Sequence, residues 1–103
     1  MNELEMHVGT IVAADPFPEA RKPAYKLTID FGPLGIKRSS AQITALYTPE
    51  TLVGRQVIAV TSYPPKRIAG FLSEVLVCGV NDPEGLVVLL APDRTVSNGE
   101  RVY

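Results

Sequence analysis

The sequence predicts an all-β domain whose short strands roll into a barrel, with one short helix set between the third and fourth strands. Three observations lead there. Polar and apolar residues alternate strictly along residues 25–31, the period of two that marks a strand with one buried face. Turn-forming clusters of Gly, Pro, Asn and Asp recur at short intervals, at residues 15–18, 32–35, 63–65, 81–85 and 98–99, too close together for long helices. Thr48-Pro49-Glu50 has the grammar of a helix start, with a hydroxyl cap, proline at the first position and an acid in the first turn.

Taken in order, the first strand is expected over residues 6–14, where Val8, Ile11 and Val12 lie, and it ends at Asp15-Pro16-Phe17-Pro18 because two prolines remove backbone donors. Pro23 breaks the chain again before the alternating strand at 25–31. Gly32-Pro33-Leu34-Gly35 supplies a hairpin turn into a third strand at 36–42, so Lys26 and Lys37 are expected on paired strands. Gly54 stops the helix after little more than one turn. The β pattern resumes at 56–62 and stops at Tyr63-Pro64-Pro65; further strands are expected at 71–79 and 86–91. No internal repeat, linker or low-complexity tract interrupts residues 1–103, which read as one domain. This is the pattern of a five-stranded Greek-key barrel with a short helix between strands three and four and extra C-terminal strands, the OB-fold.

Composition narrows the chemistry. A chain of 103 residues with 46% hydrophobic content can bury a continuous core. Its one cysteine, Cys78, forms no intramolecular disulfide and no cysteine-based metal site, and it points to a reducing compartment, the cytoplasm. In Val75-Leu76-Val77-Cys78 it reads as a small buried hydrophobe. Met1-Asn2-Glu3-Leu4-Glu5 lacks the basic start and apolar stretch of an export signal. The apolar run at 86–91 is far short of the roughly 20 residues that span a bilayer, so no membrane insertion is expected. The single histidine, His7, lies inside a strand pattern without a partner motif for nucleophilic catalysis and reads as a surface or core-edge imidazole. No Gly-rich phosphate loop occurs and no carboxylate pair stands out. The expectation is a binding protein without catalytic residues, cofactor or metal, and not an enzyme.

Charge is unevenly placed. Residues 1–20 carry four acids and no Lys or Arg, residues 21–67 carry a net +6, and residues 68–103 carry −3, within an overall charge of −1. A local field follows where charges sit and not their total, so a polyanion or an acidic peptide can dock on the central segment; the alternative is that these side chains simply solvate strand surfaces. Arg21, Lys22, Lys26 and Lys37, with Lys66, are candidates for a cationic rim whose stems cover apolar surface. Ser39, Ser40 and Gln42 offer hydroxyl and amide groups to a peptide backbone or a nucleotide edge, or are ordinary strand polarity. Tyr63, with Pro64 and Pro65, makes a rigid apolar wall or merely ends a strand. Phe17 and Phe71 are assigned to core or dimer packing. With 7% aromatic residues and no tryptophan, stacking of single-stranded bases is poorly supplied, whereas phosphate contacts need charge more than rings.

Three stretches carry a family likeness: Pro18-Glu19-Ala20-Arg21-Lys22-Pro23-Ala24-Tyr25-Lys26-Leu27 with Ile29-Asp30-Phe31-Gly32; Lys37-Arg38-Ser39-Ser40-Ala41-Gln42-Ile43-Thr44; and Lys66-Arg67-Ile68-Ala69-Gly70-Phe71-Leu72-Ser73-Glu74-Val75-Leu76. In order and spacing they resemble the CsaA export-related chaperones and, through them, the tRNA-binding domains appended to methionyl-tRNA synthetases. The likeness runs from about His7 to the carboxyl end, and Ser-Ser-Ala-Gln-Ile-Thr sets CsaA-like chains apart from the wider group. It implies an OB-fold homodimer that holds unfolded preproteins or peptides before export without nucleotide hydrolysis. The second function it implies is a tRNA-binding module acting in trans through its basic face. Two places depart from the pattern: His7 precedes Val8-Gly9 where such chains usually carry a basic residue, and Ser62-Tyr63 stands where they usually carry Asn and an apolar residue.

Overall fold

The computed structural model describes residues 4–103; Met1, Asn2 and Glu3 of the acidic opening lie outside the described residues. The alternating segment folds as strand β2 (Tyr25–Asp30), with Leu27 and Ile29 fully buried on one face and Lys26, Thr28 and Asp30 half-buried on the other. Around it the chain forms β1 (Met6–Pro16), β3 (Ile36–Ala41), helix α1 (Pro49–Leu52), β4 (Gln56–Val60), β5 (Lys66–Ile68), β6 (Phe71–Ser73), β7 (Leu76–Val77), β8 (Gly79–Asn81) and β9 (Val87–Leu89). Five of these make one antiparallel sheet in the order β3-β2-β1-β4-β7. Its inner face supplies Ile11, Leu27, Ile29, Val57 and Ala59 to the core, which Phe31, Ile43 and Val75 beside the strands and Leu52 of α1 complete. Each large side chain removed from water there contributes about 1.5–3 kcal/mol.

One strand serves two neighbours because it bends. The first half of β1 pairs with β4 and its second half with β2, Thr10 facing both Gln56 and Asp30, and the register slips between Ile11 and Ala13. The extra residue, Val12, is left 46% exposed, as a β-bulge requires. Gly9 makes the bend possible, since a Cβ there would stand 2.6 Å from Ile29 Cγ2 and 2.8 Å from the Phe31 ring. The tail takes the edge of β1 that β2 vacates: Val8 N donates to Glu100 O (2.9 Å), Gly99 N to Val8 O (2.7 Å) and Val102 N to Met6 O (2.8 Å).

Side chains complete the ring where no strand ladder does. On the open edge of β3, Arg38 N donates to Glu74 Oε1 (3.0 Å) and Ser40 N to Ser73 Oγ (3.0 Å), while Glu74 N donates back to Arg38 O (2.7 Å). The helix plugs the barrel with buried Leu52 and is held by a reciprocal cap, Thr48 N donating to Thr51 Oγ1 (3.0 Å) and Thr51 N to Thr48 Oγ1 (3.3 Å). Its place between β3 and β4 matches the sequence reading.

Four expectations shift. The first strand runs on to Pro16, whose missing donor costs nothing at a strand end. Residues 71–79 are not one strand: the chain pairs with β5, then crosses to β3, then to β4, and each change of partner breaks the run. Lys66–Ile68, left unassigned from sequence, pairs with β6 across Ala69-Gly70, both at positive φ (47° and 83°), a two-residue hairpin turn of type I′. Cys78 is half-buried, not enclosed, with Sγ 4.0 Å from Met6 Sδ and 3.8 Å from Leu76 O.

Candidate functional site

Above the closure at Arg38–Ser40, β3 and β7 part, and the space between them opens as a groove. One half, a hollow of about 320 Å³, has an apolar lining of Ile43, Ile68, Leu76, Val77, Val87 and Leu89, with Tyr63 at its side. The other half, about 350 Å³, is bordered by Arg21, Lys22, Lys66 and Arg67. The two share Ser40, Gln42, Lys66 and Ile68 and so lie side by side. Among the described residues no acid lines it, and Arg21, Lys22 and Lys66 make no ion pair. Arg67 Nη1 donates to Gly70 O at 3.3 Å, which ties its stem to the hairpin turn.

The floor of the cationic half rests on a second small core. Phe17, Ala24 and Phe71 are buried together, with Ala20 and Ile68 packed against them. The two rings meet edge to face at 5.4 Å, Lys26 Nζ lies 5.3 Å from the Phe17 centroid, and the Arg38 guanidinium lies 4.6 Å from that of Phe71. Each cation is attracted to the ring's negative face, so both aromatics are occupied by the protein itself and neither offers a stacking surface. Their assignment to packing holds.

Six of the nine sequence-chosen residues, Arg21, Lys22, Ser40, Gln42, Tyr63 and Lys66, line the groove. Three do not. Lys26 sits on β2 opposite Ser40 and covers Phe17. Ser39 is fully buried on the core face, its hydroxyl donating to Ser40 O at 3.1 Å. Lys37 pairs with Ile29 at the far end of β3 and borders a different hollow. Strand parity explains Ser39 and Lys37, since β3 points Arg38 and Ser40 one way and Lys37 and Ser39 the other; Lys26 shares the face of Ser40 and is instead drawn over the Phe17 ring. Pro64 and Pro65 border neither half. Sequence reasoning missed Arg67, although it follows Lys66 in a quoted stretch, and it missed Ser73 and Glu74 because their role is to close the ring.

The sequence from residue 6 to 101 matches the family model "Putative tRNA binding domain". The chain belongs to that family. Among solved structures, chaperone CsaA of Bacillus anthracis superposes with a TM-score of 0.91 and is 53% identical, over 97% of this chain and 91% of that one. The CsaA chaperone protein of Picrophilus torridus gives 0.91 at 46% identity, covering 98% and 92%. Methionine–tRNA ligase of Methanocaldococcus jannaschii is 34% identical over 99% of this chain, but the match covers 15% of that enzyme. The chain spans about one seventh of the length of such curated relatives. The barrel is therefore an OB-fold of the CsaA and tRNA-binding-domain kind, as its order of strands indicated.

Proposed function

We propose that this chain is a non-catalytic holdase of the CsaA kind, acting in the cytoplasm as a homodimer. Extended segments of unfolded preproteins or peptides lie along the groove, and no nucleotide is consumed. The observation that carries this reading is an apolar hollow set beside a cationic one across shared residues, with no acid among the described residues lining either. Client side chains enter between Ile43, Val87 and Leu89, while Ser40 and Gln42 meet the client backbone and the cations meet its acidic residues. Apolar burial supplies the affinity, about 1.5–3 kcal/mol for each well-covered Leu or Phe of the client. Near full-length likeness to two proteins named as CsaA chaperones supports it.

The test is titration of the purified protein with a labelled unfolded client at low and high salt. Affinity is expected to persist at high salt, because screening weakens the rim contacts while leaving apolar burial intact. Loss of binding on adding salt would overturn the reading.

A second reading is favoured by its own observation. Arg21, Lys22, Lys66 and Arg67 border one hollow without an acidic neighbour in its lining, a charge pattern that suits a phosphodiester backbone, and the chain belongs to a tRNA-binding family. In this reading the domain is a tRNA-binding module acting in trans.

A further inference from the structure

The side-chain closure of β3 ends at Ser40, where the groove begins. Arg38 N and Ser40 N donate to Glu74 and Ser73, so these two residues turn their main-chain groups away from β2. Ser39 and Ala41, paired with Leu27 and Tyr25, turn theirs toward it. The described residues contain no cis peptide bond, and a trans amide points its N–H opposite to the preceding C=O. Since the Ala41 carbonyl faces β2, the Gln42 N–H faces outward, where Ser40, Ala41 and Gln42 line the groove. Among the described residues no group accepts from it. The Ser40 carbonyl faces the same way and accepts the Ser39 hydroxyl at 3.1 Å, which occupies one of its two lone pairs and leaves the other open.

We infer that a client docks by adding a β-strand to this open edge, an inference that rests on the holdase reading and specifies how the peptide is held. A strand laid beside Ala41 brings an N–H to Ser40 O and a C=O to Gln42 N whatever its sequence. Main-chain bonds of this kind supply affinity, and alternate side chains supply selection.

Side chains directly opposite on neighbouring strands share a face. The client residue beside Ala41 therefore points as Ala41 does, toward the core, where Val77, Val87 and Leu89 line the apolar hollow. Its two neighbours take the face of Ser40 and Gln42, which border the cationic hollow together with Arg21 and Lys22. The two hollows thus serve the two faces of one added strand. The client that fits alternates, with aliphatic residues inward and acidic or polar residues outward.

The test uses the full chain labelled with ¹⁵N and two end-capped peptides of equal composition. In Thr-Val-Glu-Leu-Glu-Val-Thr the aliphatic residues alternate; in Glu-Thr-Val-Leu-Val-Thr-Glu they are contiguous. The alternating peptide should bind severalfold tighter. At saturation it should slow hydrogen exchange of the Gln42 amide about tenfold, the effect of one added hydrogen bond, while the Ala41 amide, already facing β2, changes little. Gln42→Pro removes the N–H at a position that follows extended backbone and should weaken the alternating peptide about tenfold. Gln42→Ala keeps the N–H and should weaken it less. If the proline variant folds poorly, the exchange measurement on the parent decides. Unchanged Gln42 exchange at saturation, or equal affinity for the two peptides, overturns strand addition and leaves the holdase reading standing. Failure of both peptides to bind overturns the two together.

Discussion

Cys78 illustrates how strongly one residue's chemistry depends on what packs beside it. In sequence it is the last of four small apolar residues, which is why it reads as enclosed; in the fold it follows β7 at the surface, half-covered, against Met6. Burial pushes its thiol above the ordinary range, against a smaller opposing effect from the Val60 backbone. A raised value means that the folded state holds the proton when the unfolded chain has begun to lose it. The associated stability is complete below the unfolded thiol's pKa and declines as pH rises through the folded one. Alkylation by iodoacetamide, followed by mass against pH, should therefore show a midpoint more alkaline in folded protein than in protein unfolded by urea. A midpoint equal to or below that of the unfolded chain would contradict the desolvation. A similar dependence on placement separates Ser39 from Ser40: both residue types suit a binding face, and the inward turn of one and the outward turn of the other decide which lines the groove.

At the scale of elements, the barrel depends on a closure built from two side chains. Glu74 and Ser73 receive the backbone donors of Arg38 and Ser40 in place of a strand ladder. Glu74→Ala should lower stability by about 1 kcal/mol in urea unfolding, the worth of one hydrogen bond near the surface. Glu74→Gln, which keeps an acceptor oxygen, should sit close to the parent, and an equal loss in both variants would show that charge and not acceptance matters. This closure also marks the limit of what local pattern reveals. Tyr25–Asp30 was legible because alternation is a property of adjacent residues, and α1 because Thr48, Pro49 and Gly54 act within one turn. The breaks within residues 71–79 were not legible, because they are set by partners far away in the chain: Arg38 for Glu74 and Ala59 for Val77. The β5–β6 hairpin escaped for another reason: its first turn residue, Ala69, holds φ 47° without being one of the Gly, Asn or Asp residues that announce such turns.

The molecule as a whole places its charge as the sequence suggested in outline, though not in detail. The eight bases behind the +6 of residues 21–67 divide among the four of the groove rim, Lys26 and Arg38 resting on buried rings, Arg55 over Tyr47, and Lys37 beside a separate hollow. A linear charge map sums these together, whereas a ligand meets only the rim. If tRNA is bound, the contacts are those of Arg21, Lys22, Lys66 and Arg67, and neutralising about four phosphates gives a slope of roughly −3 for log affinity against log salt. Lys22→Ala with Lys66→Ala removes two of them, so the slope should fall to roughly half and the affinity at low salt should drop steeply. Lys26→Ala is the matched control, because its ammonium already lies over Phe17 and its loss should leave the slope nearly unchanged. Equal effects from the control and the rim variants would place the nucleic acid elsewhere on the barrel. A flat salt response in the parent would remove the phosphate reading and leave the apolar half of the groove to account for binding.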